Sequence, residues 1–243
     1  NLLKVVTGQG VNSFCAPPTV YRHLIQEDLS QYDFSRLRHC AAAGEPLNES
    51  VISAWREATG LTIHEGFGQS ETALAIAMLS NMEFRPGSIG KPVPGWNVAL
   101  LNDEGELCAP GEEGEICVRV AEGKPYGLFA GYLDEDGNCT EPWQNGWYHT
   151  GDKATMDKDG YYWFVGRVDD LIKTSGYRVG PFEVESALVS HPAVLEAAVT
   201  GVPDPVRGQA IKASIVLSKE FLPSQQLIKE IQEYVKSVTA PYK

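Results

Sequence analysis

Four short stretches of this 243-residue chain bring chemically useful side chains together at turns. The first, "GFGQSET" from Gly66 to Thr72, combines glycines, an aromatic ring, an amide, hydroxyls and a carboxylate. Gly66 and Gly68 let a ligand approach the backbone closely. Phe67 offers a flat face for a planar ring, and stacking of a base on an aromatic is worth about 1–3 kcal/mol. Ser70 can donate to a phosphate oxygen, and Glu71 is a hard oxygen ligand of the kind magnesium takes. The stretch fits equally well a tight turn with Glu71 in water. In "WYHTGD", Trp147 to Asp152, the carboxylate of Asp152 can accept hydrogen bonds from both hydroxyls of a ribose, and charged acceptors make the stronger bonds. An aspartate at a hairpin turn is also common without any ligand. "GRVDDLIKTSGYRVG", Gly166 to Gly180, gathers Arg167, Lys173 and Arg178 around a Ser175-Gly176 turn, with Asp169 and Asp170 beside them. Cations at a turn suit a phosphate or carboxylate ligand, or simply a solvated surface. "AAAGEPL", Ala41 to Leu47, ends a short apolar strand in bare backbone. It could form the second wall of a slot facing Phe67, or start a helix with Pro46 in its first turn.

Alternating elements must position these stretches. "VNSFCAP", "RHCAAAG" and "LTIHEGFG" read as strands. "PTVYRHLIQ" reads as a helix opened by Pro18. "LNESVISAWREATG" reads as a helix whose apolar face is Val51, Ala54, Trp55 and Ala58, capped by Asn48 and ended by Gly60. Strict alternation suggests a mostly parallel, doubly wound sheet over 1–85. From 86 to 168 closely spaced turn signals ("NDEG", "APGEEG", "DEDG", "QNG", "DKDG") separate β-branched and aromatic runs, which implies antiparallel hairpins. From 169 to 243 the pattern becomes a small α+β unit. The fold class is therefore α/β, with a β-rich subdomain and an α+β C-terminal part.

A formal net charge of −12 argues against nucleic acid as a partner. No apolar run approaches the roughly 20 residues that span a bilayer. Five cysteines, an odd number without C-x-x-C spacing, argue against a disulfide framework or zinc site and fit a reducing cytoplasm. Both ends look cut, so a piece of a longer protein is expected.

Together and in order, "APPTVYRHLI", "AAGEPL", "GFGQSET", "GEEGEICVR", "WYHTGD", "GRVDDLIKTSGYRVGPFEVE" and "HPAVLEAAVTGVPDPVRGQAIKA" resemble the adenylate-forming superfamily of acyl-CoA synthetases, luciferases and peptide-synthetase adenylation domains. The likeness covers essentially the whole chain. It is most marked to the medium-chain acyl-CoA synthetase branch, through an "SSGYRxGPxEVE"-like stretch, from which Thr174 departs, and through "VKSVTAPYK". The resemblance implies a large N-terminal domain and a C-terminal lid. It implies that a carboxylic acid and ATP form an acyl-adenylate and pyrophosphate, and that coenzyme A then displaces AMP.

It further implies roles for individual residues. Gly44, Glu45 and Pro46 would form one wall of the adenine slot. Glu65, Gly66 and Phe67 would form the other, with Gly68 and Gln69 continuing the nucleotide site. Ser70 would touch the α-phosphate and Glu71 would hold Mg2+. Asp152 and Arg167 would bind the ribose, Asp169 would be the hinge, and Arg178 would approach phosphate. Ser175, Gly176 and Tyr177 would line the pantetheine tunnel, and Arg207 and Lys236 would contact the nucleotide end of coenzyme A. Acetate-specific relatives carry tryptophan at the position of Gly68, so its missing side chain implies room for a medium-chain or aromatic acid. The family's lysine-bearing phosphate loop lies upstream in relatives and its adenylation lysine downstream. Neither loop occurs in 1–243, and Lys243 is not that lysine, so this chain alone is expected to have little adenylation activity. Alternatives are an aryl-CoA ligase or other adenylate-forming ligase, or a non-catalytic nucleotide or coenzyme A binding module.

Overall fold

The computed structural model describes residues 2–239, so the end of the "VKSVTAPYK" stretch lies outside them. The chain divides into two compact units, Asn1–Phe164 and Val165–Lys243. The expected segment 1–85 and the expected segment 86–168 up to Phe164 thus lie in one unit, and the division falls shortly before the expected hinge at Asp169.

The first unit begins with α1 (Leu2–Gly8), β1 (Ser13–Ala16), α2 (Pro18–Leu24), β2 (His39–Ala43), α3 (Glu49–Thr59), β3 (Ile63–Gln69), β4 (Ala73–Ala77) and β5 (Lys91–Pro92). The five strands form one sheet in the order β1-β2-β3-β4-β5. The pairs β1–β2 and β2–β3 are parallel, joined through helices as strand-helix alternation predicts. The pairs β3–β4 and β4–β5 are antiparallel, so the sheet is mixed rather than mostly parallel. A parallel return needs a crossover of a dozen or more residues, whereas only Ser70–Thr72 separate β3 from β4. The stretch read as a turn is therefore the end of a strand plus a tight hairpin.

The helix α3 shows how sequence builds this unit. Asn48 takes the N-cap position through its backbone, whose carbonyl accepts from the Val51 and Ile52 amides, and its side chain makes no capping bond. Gly60 ends the helix at φ +75°, a left-handed conformation glycine adopts without penalty. The buried face is Val51, Ile52 and Trp55, while Ala58 is exposed. The face is turned toward Ile52 because burying a branched aliphatic chain removes more apolar surface from water than burying alanine. Trp55 packs edge-on against Tyr21, with ring centroids 5.1 Å apart, and anchors the core under the sheet.

The same unit continues with β6 (Val98–Leu101), β7 (Glu113–Arg119), a small ladder of β8 (Tyr132–Leu133) and β9 (Cys139–Thr140), then β10 (Trp147–Met156) and the start of β11 (Tyr162–Arg167), whose last three residues belong to the second unit. A second sheet has the order β11-β10-β7-β6, with antiparallel pairing of β6–β7 and β7–β10. This bears out the expectation of hairpins. In β10 the register slips between His149 and Lys153, so that Thr150, Gly151 and Asp152 bulge opposite Ile116. Gly151 adopts φ +73° to make the bulge.

The second unit holds β12 (Ile172–Thr174), β13 (Tyr177–Val179), α4 (Pro181–Val189), β14 (Val194–Asp204), β15 (Gly208–Leu217) and α5 (Gln225–Val238). Its sheet order is β13-β12-β15-β14. In α5, Leu227, Ile231 and Val235 recur every fourth residue and bury one face against Val184, Leu188 and Val199. The Ser224 hydroxyl accepts from the Leu227 amide at 3.1 Å and caps the helix.

Candidate nucleotide site and candidate coenzyme site

The two stretches "GFGQSET" and "WYHTGD" meet at Gln69. Its Nε2 donates to the Thr150 carbonyl at 2.8 Å and to Asp152 Oδ2 at 2.6 Å. Its Oε1 accepts from the Tyr148 hydroxyl at 3.0 Å. Its backbone amide donates to Thr72 Oγ1 at 2.9 Å, which folds the hairpin back on itself. Gln69 was expected among the ligand contacts, but its amide is engaged on both ends by protein. Its work is to hold the bulge of β10 against the end of β3. The Asp152 amide donates to Thr150 Oγ1 at 3.1 Å, and that hydroxyl donates to the Ile116 carbonyl at 2.7 Å. Asp152 is buried, and a buried carboxylate must be hydrogen-bonded or matched by a ligand.

The rest of the hairpin is organised around Glu71. The half-buried carboxylate accepts from the Tyr132 hydroxyl at 3.0 Å, and the Glu71 carbonyl accepts from the Phe129 amide at 2.8 Å. Ser70, between Gln69 and Glu71, is exposed. Phe67 is half-buried. Its ring packs against the cluster of Ile76, Ile89, Ile116 and Tyr162, with Phe164 at 6.3 Å.

Gly68 departs from expectation. A Cβ built on it would lie 1.5 Å from the Ala73 carbonyl oxygen, where β4 presses against β3 at a bulge. The residue is glycine because backbone occupies the place of a side chain. Its missing side chain therefore gives no measure of the room left for an acyl group.

The adenine-wall candidates also assemble within this unit. Gly44 adopts φ +94°, with open space where a Cβ would stand. Glu45 accepts from Thr19 Oγ1 at 2.7 Å and from Arg22 Nη2 at 3.2 Å. Pro46 precedes Leu47, whose amide donates to Glu65 Oε1 at 3.0 Å. Glu65 thus ties "AAAGEPL" to "GFGQSET". Its carboxyl is buried, and desolvation pushes its pKa up to about 8, opposed only by the bond from Leu47. Its side chain acts from beneath the wall rather than as part of the wall.

In the second unit, Ser175 and Gly176 form the two-residue turn of the β12–β13 hairpin, both with positive φ (50° and 83°). That is the geometry of a type I′ turn. The Ser175 amide donates to the Arg207 carbonyl at 2.9 Å, which brings together Ser175, Gly176, exposed Tyr177 and Arg207. Arg207 itself sits in a turn shaped by Asp204 Oδ1, which accepts from the Val206 and Arg207 amides. Arg178 is exposed and registers opposite Lys173. Arg167 binds Asp169 through Nε at 2.9 Å, and this bond holds the Asp169 carboxyl below the usual carboxylate range. Lys236 lies far along the chain from the hairpin, exposed in the last turn of α5.

Several residues of the site were not singled out by sequence. Tyr148 and Thr150 lie inside "WYHTGD", and the alternating burial along β10 points them inward with Asp152. Glu115, Cys117 and His149 form a further group whose ligand atoms lie within 4.8 Å of one another. Glu115 accepts from the Gly151 amide through Oε1 at 2.8 Å and pairs with His149 Nδ1 through Oε2 at 2.8 Å, so it also braces the bulge. Burial pushes the Cys117 thiol pKa well above its usual value. No short sequence spacing marks Tyr132, which sits far from Glu71 along the chain.

The family model described as "AMP-binding enzyme" matches residues 1–133, and that of the "AMP-binding enzyme C-terminal domain" matches 183–243. The chain is 48% identical to acyl-coenzyme A synthetase ACSM3, mitochondrial, of Rattus norvegicus, over 100% of this chain and 42% of the relative. It is 53% identical to 4-hydroxybutyrate–CoA ligase 1 of Metallosphaera sedula, over 98% of this chain and 42% of the relative. The crystal structure of the anthranilate CoA ligase AuaEII in complex with anthranoyl-AMP superposes with a TM-score of 0.90 at 39% identity, covering 100% of this chain and 46% of that one. The chain thus spans under half the length of these relatives.

Proposed function

The chain belongs to the AMP-binding enzyme family, and from that premise we propose that the whole protein is an AMP-forming acid–thiol ligase. It joins a carboxylic acid to ATP, releases pyrophosphate, and transfers the acyl group from the adenylate to coenzyme A. The observation that carries this reading is the 2.6 Å bond from Gln69 to Asp152. It joins the two stretches assigned to phosphate and ribose in a single site.

Catalysis of this kind rests on positioning and charge neutralisation, not on a protein nucleophile. Asp152, held by Gln69 and the Thr150 bulge, accepts from the ribose hydroxyls. The exposed Ser70 hydroxyl donates to the α-phosphate. Gly44 to Pro46 and Gly66 to Phe67 flank the adenine, and Glu65 locks the two walls together from below. Glu71 suits Mg2+ in its donor chemistry, a half-buried hard carboxylate steadied by Tyr132. Bound there, the ion supplies neutralisation of phosphate charge. Arg167 and Arg178 supply cationic contacts to the nucleotide, and Asp169 is the hinge. Ser175, Gly176, Tyr177 and Arg207 receive the pantetheine and nucleotide ends of coenzyme A, with Lys236 as a further cation. The five free cysteines suit a reducing compartment such as the cytoplasm.

For the acid we propose a medium-chain aliphatic carboxylate, on the likeness to that branch. An aromatic acid is the second reading, favoured by the likeness to the anthranilate CoA ligase. The test is AMP release by the whole protein over a panel of acetate, medium-chain and aryl acids, with and without coenzyme A. Coenzyme-A-dependent turnover of a medium-chain acid supports the proposal, and a clear preference for acetate refutes the acid assignment. Binding of ATP and coenzyme A without AMP release from any acid would make the protein a binding module.

A further inference from the structure

Glu71 and Asp152, the two acids assigned to metal and ribose, are each held through a tyrosine, and both tyrosines pack on the same phenylalanine. Tyr132 Oη donates to Glu71 Oε1 at 3.0 Å. Tyr148 Oη donates to Gln69 Oε1 at 3.0 Å, and Gln69 Nε2 donates to Asp152 Oδ2 at 2.6 Å. Each phenol thus spends its one hydroxyl proton on a different acceptor, Glu71 for Tyr132 and Gln69 for Tyr148. The two phenols are held by one wedge, since Phe129 lies edge-on to Tyr132 at 4.8 Å and to Tyr148 at 5.6 Å. Phe129 is itself pinned by its amide on the Glu71 carbonyl. The segment Phe129–Tyr132 therefore grips Glu71 at both backbone and carboxylate. Close packing against β9 at Gly131 holds the segment in place, since a Cβ there would meet the Thr140 carbonyl oxygen at 2.5 Å.

We infer that Tyr132 is a positioning residue for Glu71, itself steadied by the Phe129 ring that also packs on Tyr148. The physical basis is the hydrogen bond to a charged acceptor. A charged acceptor strengthens such a bond, and the bond selects a single rotamer of a glutamate that otherwise has several. This inference rests on the assignment of Glu71 to Mg2+.

The test is calorimetric titration of the whole protein with ATP, in Mg2+ and in EDTA, for wild type, Tyr132→Phe and Glu71→Gln. The readout is the factor by which Mg2+ tightens ATP binding. Tyr132→Phe keeps the ring on Phe129 and removes only a hydroxyl from a residue that is 48% exposed, so the melting temperature should stay close to that of wild type. The expected result is that this factor falls about tenfold in Tyr132→Phe, roughly the loss of one charge-assisted hydrogen bond, and collapses in Glu71→Gln. If it collapses in Glu71→Gln but is unchanged in Tyr132→Phe, the inference is overturned and the metal assignment stands. If Glu71→Gln keeps the full Mg2+ factor, the metal assignment fails and the inference falls with it.

Discussion

Replacing Gly68 with alanine separates two explanations of this glycine. An added Cβ would sit 1.5 Å from Ala73 O, 2.6 Å from Ala73 C and 3.2 Å from Leu74 Cα, all backbone atoms of the neighbouring strand. Ordinary contact begins at 3.4 Å, so the two strands must part by nearly 2 Å at this point. That displacement breaks the ladder at Gly68↔Leu74 and Gln69↔Ala73. Overpacking costs about 1–3 kcal/mol, and each ladder hydrogen bond lost adds about 1 kcal/mol. The expected destabilisation is about 3–5 kcal/mol, a lowering of the melting temperature by roughly 6–20 °C for a unit of this size. Gly66→Ala is the internal control. Its Cβ would meet Leu74 Cδ1 at 2.5 Å, the tip of a 44% exposed side chain that can swing away. A shifted rotamer costs about 0.5–1.5 kcal/mol, offset by about 0.4–1 kcal/mol from the stiffer unfolded chain. The control should therefore melt within about 4 °C of wild type. Thermal unfolding by circular dichroism compares the two, with the acid panel run on the soluble variants. If Gly68→Ala melts like wild type and shifts preference to shorter acids, Gly68 is a gate to the acyl pocket and the crowding explanation is wrong.

Three further outcomes are expected. Gln69→Leu removes the 2.6 Å bond from the hairpin to Asp152, and should weaken ATP binding by about 10–100-fold, measured by titration, as loss of one bond to a charged group costs about 1.5–3 kcal/mol. Glu65 has a folded pKa of about 8, raised from 4.5 by burial. The folded state then binds the extra proton, so the contribution is complete below pH 4.5 and declines as pH rises toward 8. Glu65→Gln can still accept from Leu47 without a charge, and should flatten that decline in unfolding experiments across the same window. Ser175→Gly relieves a non-glycine residue at φ 50° and should stabilise the second unit by up to about 1 kcal/mol by denaturant unfolding, provided the turn keeps its shape.

The strand-helix order, the hairpins of the β-rich part and the α+β end were legible because periodicity and turn residues are local signals. The antiparallel return at Ser70–Thr72 was not. Glycines at 66 and 68 erase the alternation by which a strand is recognised, and "ALAIA" reads as an apolar run of no particular direction. The rotated face of α3 escaped because Ile52 and Ala54 fit a 3.6-residue pattern nearly equally well. At the site, residue types such as Asp152 and Glu71 could be picked out from their own motifs. The partners that orient them, Tyr132, Tyr148 and the amide of Gln69, could not. Their meeting depends on a bulge and a sheet pairing that no spacing encodes.

The bond from Gln69 to Asp152 spans 83 residues of chain. Closing so long a loop has an entropic cost that only the packing of both sheets of the unit can offset. Contacts of this range form late in folding, after the local hairpins and helices. A growing chain emerges N-terminal end first, so the parallel strands and the Gly66–Thr72 hairpin exist well before the β10 bulge that completes the pocket. The two halves of the site therefore form at different times, and a nascent or locally opened molecule lacks the bond that joins them.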